Sequence, residues 1–134
     1  MREVLMSRTR KVIFAAIAGV LLFASIAVAA LPTAGGVYKG PTYDKGHLVG
    51  HVKLVAETRH KLSLARVKDY CGTIYEFHDV KVADDGTFKA VKTNQAGGPI
   101  FTIKGQFISR RRAKGSTEQF HCQGAITTWV AKRQ

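Results

Sequence analysis

Arg110, Arg111, Arg112 and Lys114 place four cations within five residues. Arginine grips phosphate, sulfate or carboxylate with two parallel hydrogen bonds, so this run is a candidate anion-binding site. Binding of that kind weakens with salt, by about 0.9 log units per log unit of salt for each phosphate engaged on a duplex. A charge run at a loop tip also reads as a solvated surface that keeps a protein soluble. The stretch from Arg110 to Gln119 is strongly polar, contains Gly115 and Ser116, and is expected to be a hairpin tip. Aromatic residues interleaved with the cations, which would favour nucleic acid, are absent from this run.

Cys71 and Cys122 are the only cysteines. In an exported chain an even count reads as a pair, which here allows one connectivity, Cys71 to Cys122. Zinc or redox chemistry would need a second ligand or thiol a few residues away, and neither cysteine has one. The histidines His47, His51, His60, His78 and His121 raise the question of a metal or acid–base site. On a strand, His47 and His51 would stand about 13 Å apart, too far to share one ion. His78 with Asp79 and His121 is the one cross-strand set that suggests a hydrolase, and it requires those side chains to converge. Asp84-Asp85-Gly86 reads as a turn rather than a calcium loop, because the oxygen ligands do not alternate over a dozen positions. No nucleophile elbow, phosphate loop or paired-carboxylate motif is present, so no catalytic residue, metal or cofactor is assigned.

The surrounding chain suggests where these residues act. Arg2, Arg8, Arg10 and Lys11 precede an uncharged apolar run, Val12 to Ala30, that closes on Ala27-Val28-Ala29-Ala30. This is the pattern of a bacterial-type signal peptide cut after Ala29 or Ala30, with Pro32 as a helix stop. An uncleaved anchor is the alternative, since the run approaches the roughly 20 residues that cross a bilayer. Residues 1–30 are therefore expected to be a signal helix and 31–134 one exported domain, secreted or held in the cell envelope. Of the 21 Lys and Arg and nine acids, four cations and one acid fall in residues 1–30, leaving a balance of +9. Such an excess speaks to partners and solubility, not to fold.

Within 31–134 the apolar residues alternate with period two and no long window holds a helical period. Strands are expected at Val37–Lys39, His47–Ala56 (Leu48, Val52, Leu54 and Ala56 inward), Leu62–Val67, Thr73–Val82, Phe88–Thr93, Ile100–Ser109 and Phe120–Ala131. Asp44-Lys45-Gly46 and Asp84-Asp85-Gly86-Thr87 are turns, the second because Asp-Gly supplies positive φ. Tyr75 and Phe77 share one face while Val80 and Val82 share the other, so a bulge or bend is expected near His78-Asp79. The fold expectation is all-β: a small antiparallel sandwich or barrel of seven or eight strands with one disulfide.

Gly36 to Gly40, the two cysteines, the Asp-Gly-x-Phe turn and the late Trp129 together resemble small exported bacterial β-proteins. That resemblance implies no site residue. The functional expectation is a non-enzymatic module with affinity for an anionic partner: a glycan, an envelope polymer such as teichoic acid, a lipid headgroup or a nucleic acid. The alternative is a barrel that carries an apolar ligand near Trp129 or blocks a partner protein.

Overall fold

The structure, a computed structural model, describes residues 30–120 and 125–134. The expected signal helix, His121 and Cys122 lie outside these residues. The described chain is all-β and contains no helix. Its eight strands are β1 (Val37–Asp44), β2 (His47–Thr58), β3 (Lys61–Lys68), β4 (Ile74–Lys81), β5 (Thr87–Thr93), β6 (Pro99–Ser109), β7 (Arg112–Gln119) and β8 (Ile126–Arg133).

They form one antiparallel sheet in the order β4-β3-β2-β1-β8-β7-β6-β5. Because the first strand pairs with the last, the meander curls into a barrel, and only β4 and β5 face each other without a ladder. Aromatic rings fill that seam: Tyr75 and Phe77 of β4 stack on Phe101 of β6, the first pair at 4.2 Å between centroids. Between sandwich and barrel, the pairing of β1 with β8 decides for a nearly closed barrel.

Eight strands enclose a space that side chains can fill. The filling here is Tyr38, Leu54, Leu62, Phe88, Phe101, Ile103, Phe107 and Trp129 with small residues between them, all buried. The Trp129 indole fits because β6 and β7 offer it no side chain at Gly105 and Gly115, which pair directly. A Cβ at Gly115 would stand 1.9 Å from the Lys104 carbonyl oxygen and 2.6 Å from the indole. This explains the largest departure from expectation. Arg112 to Gln119 is a strand, and the tip is reduced to Arg110 and Arg111. Its inward residues, Ala113, Gly115 and Thr117, are small because a neighbouring strand supplies the bulk.

Three local irregularities correct the simple alternation. Strand β1 continues through Gly40-Pro41 to Asp44, and its ladder to β8 is interrupted there, at a proline that has no N–H to give. A bulge on β2, where Thr42 pairs with Gly50 and Tyr43 with Leu48, flips the face of the strand, so Leu48 is 60% exposed rather than inward. Strand β3 changes phase at Ser63, with Leu62 and Ala65 both inward, and β4 follows through Asp79 in the left-handed region at φ 55. The expected irregularity at His78-Asp79 is therefore a bend. The β3–β4 ladder keeps one register across it.

Candidate anion-binding surface

Arg110 and Arg111 form the β6–β7 turn, Arg112 opens β7, and Lys114 points outward two residues on. The turn is anchored to the barrel. The Arg110 carbonyl accepts the Tyr38 hydroxyl at 2.5 Å, the Arg111 N–H donates to the Ser109 hydroxyl, and Tyr38 also accepts the Thr33 N–H. All four cationic side chains are exposed.

The register adds residues that chain order conceals. Arg112 pairs with Lys132, Lys132 with Lys39, Lys39 with Lys53, and Lys53 with Arg66. Lys53 and Arg66 stand between two buried neighbours and Lys39, Arg112 and Lys132 each beside one, Tyr38, Ala113 and Ala131, so all five point outward. Five cations thus stand directly opposite one another across five neighbouring strands, in a stripe about 19 Å long at ~4.8 Å per strand. Arg66 meets Glu76 of β4 at 3.5 Å, and among the described residues the other four make no ion pair. Like charges directly opposite on a sheet destabilise it. A second outward row, two residues along the same strands, adds Lys68, His51 and Lys114. Over β1 to β4 the two rows border a groove of ≈640 Å³, whose lining contains no acid.

The acids gather elsewhere. Glu57 and Asp79 meet Lys61 at 2.9 and 3.6 Å, Asp84 faces His60 at 3.7 Å, and Glu76 faces His78 at 3.7 Å. The Glu57 contact, ahead of Asp79, holds the Lys61 ammonium above its ordinary value. The Asp85 carboxylate is held below its ordinary value by the Thr87 hydroxyl and N–H, which brace the β4–β5 turn. Outside the stripe Lys61 has acid partners, whereas Lys89 and Lys104, directly opposite each other, make no ion pair among the described residues. The stripe is the longer row, with five opposed cations of which one is paired.

The remaining candidates divide. His47 and His51 on β2, His60 in the β2–β3 turn and His78 on β4 are all exposed, and the described residues contain no cluster of three metal-ligating side chains. His78 lies 3.3 Å from the Ser63 carbonyl, and Asp79 faces Lys61. Trp129 is packed against Phe88, and among the described residues neither its Nε1 nor either amide atom of buried Gln119 has a hydrogen-bond partner. The Thr117 and Thr127 hydroxyls bond to each other in the same interior.

No protein-family model, curated protein or solved structure matches the chain.

Proposed function

We propose that this protein is a non-enzymatic binding module, exported by its signal peptide to the envelope or extracellular space, that holds a linear polyanion along its cationic stripe. The observation that carries this reading is the register of Arg112, Lys132, Lys39, Lys53 and Arg66. A row of opposed cations costs stability, and a partner whose anions repeat along a chain offsets that cost. The Arg110-Arg111 turn extends the same surface at its β7 end. Cys71 and Cys122 form a disulfide in this reading.

Retention on immobilised heparin in a salt gradient tests the stripe. Lys39→Ser with Lys132→Ser should elute at clearly lower salt than the parent, and Arg110→Ser with Arg111→Ser should shift elution less. Elution of the parent at the void, or no effect of the stripe substitutions, would overturn the reading. A second reading rests on the unpartnered buried polar atoms of Gln119 and Trp129: a small ligand held inside the barrel. Because those atoms seek hydrogen bonds, they suit a polar occupant better than the apolar one expected from composition.

A further inference from the structure

The up-and-down connectivity places the β1–β2, β3–β4, β5–β6 and β7–β8 connections at one end of the barrel. That end carries large apolar side chains in the open: Tyr43 and Leu48 from the β1–β2 hairpin, Tyr70 and Ile74 from the β3–β4 connection. Leu48 is 60% and Ile74 48% exposed. Both positions are built. The β2 bulge turns Leu48 outward. The β3–β4 connection is braced by buried Asp69, whose carboxylate accepts the Cys71 and Thr73 N–H groups at 2.9 and 2.7 Å, with Gly72 at φ 81 between them.

On three of the same four strands, β1 to β3, stand the cations of the groove, with Lys68 level with Ile74 and the others behind it. Lys68 is opposite Ile74 and His51 opposite Lys68, followed by Arg66, Lys53 and Lys39. At ~3.3 Å per residue, His51 and Pro41 lie about 7 Å and Lys53 and Lys39 about 13 Å along the strands from the rim, less in depth because barrel strands tilt. Beyond Tyr43 and Leu48 the β1–β2 hairpin ends in the short Asp44–His47 turn, and behind them the cations follow, the order of a bilayer read outward from its core: apolar side chains reach the acyl boundary at about 5–10 Å depth, and cations meet the phosphates, whose field extends about 8 Å at physiological salt. A groove for an acidic peptide would instead put its apolar residues on the floor and its charges on the rim.

We propose that this end docks on the surface of an anionic lipid bilayer, with Tyr43, Leu48, Tyr70 and Ile74 entering the interface and Lys68, Arg66 and Lys53 facing headgroup phosphates. The inference goes beyond polyanion binding. It uses the end opposite the Arg110-Arg111 turn and shares Lys53 and Arg66 with the stripe, so membrane and polymer compete for these two cations.

The test is co-sedimentation of the chain starting at Leu31, which carries every residue of the core described above. The vesicles contain either equal parts phosphatidylcholine and phosphatidylglycerol or phosphatidylcholine alone. The parent should bind the mixed vesicles and not the neutral ones. Leu48→Ser with Ile74→Ser should weaken binding at least about tenfold while leaving heparin retention unchanged, and an unchanged urea midpoint followed by Trp129 fluorescence shows that the variant folds. Lys68→Ser should weaken it about fivefold, and Arg112→Ser with Lys132→Ser should leave it as in the parent. No binding to the mixed vesicles, equal binding to both kinds, or full binding by the Leu48/Ile74 variant would overturn the proposal. Retention on heparin by that same variant leaves the stripe reading standing on its own.

Discussion

At the scale of single residues, the barrel depends on two glycines and one tryptophan. Gly115 has no room for a methyl group, since the Lys104 carbonyl and the indole of Trp129 already occupy that space. Gly115→Ala should therefore cost about 1–3 kcal/mol through overpacking. Urea denaturation followed by the fluorescence of the single tryptophan measures it, and an unchanged midpoint would contradict the packing. Tyr75 gives a second residue-scale prediction. Burial, and then the Asp69 carboxylate, raise its phenol above the ordinary value of 10.0. The unfolded phenol loses its proton near pH 10 while the folded one keeps it, so stability falls as pH rises above 10. Tyr75→Phe keeps the stack on Phe101 and should flatten that alkaline decline. Denaturation midpoints at pH 9 to 11 would reveal an unchanged slope if Tyr75 were not responsible.

At the scale of strands, the stripe should be a cost when unoccupied. Lys132 stands between Lys39 and Arg112 without an acid partner. Lys132→Ser should stabilise the protein by about 0.2–1 kcal/mol at low salt, and the gain should shrink at 1 M salt, where the screening length is about 3 Å. Destabilisation by this substitution would show that the lysine contributes to the fold. The stripe also marks the limit of what the sequence reveals. The alternation from Ile100 to Ser109 and the Asp85-Gly86 turn are local signals, and β6 and the turn into β5 stand where they point, but β5 pairs with β6 and not with β4 as a hairpin at that turn requires. Strand β7 has the local pattern of a tip because its inward residues are small, and they are small on account of Trp129 on another strand. Leu48 followed the period of two until a bulge reversed its face. Arg110, Arg111, Arg112 and Lys114 are adjacent in the chain and were visible. Lys39, Lys53, Arg66 and Lys132 come together through strand pairing across distant parts of the chain, which no local pattern reports.

On the scale of the whole molecule, charge and apolar surface are sorted by position. Among the described residues, acids pair with Lys61, His60, His78 and Arg66 toward the β4 side, a row of opposed cations runs from β3 to β7 with further unpaired lysines on β4 to β6, and Tyr43, Leu48, Tyr70 and Ile74 lie exposed toward one end. A Cys71–Cys122 bond would close a loop of about 50 residues and contribute roughly 4 kcal/mol. Adding reductant should lower the denaturation midpoint accordingly, while thiols that are alkylated without reductant would exclude the bond. The central claim is that opposed cations on five strands act together on one polyanion. The most direct test is the salt dependence of affinity for a heparin oligosaccharide, for the parent and for Lys39→Ser with Lys132→Ser. Five ionic contacts predict a slope of log affinity against log salt of about −3.5 to −4.5, and removing two should bring it about 1.4 to 1.8 units closer to zero. A parent slope near zero, or the same slope in both proteins, would contradict the account.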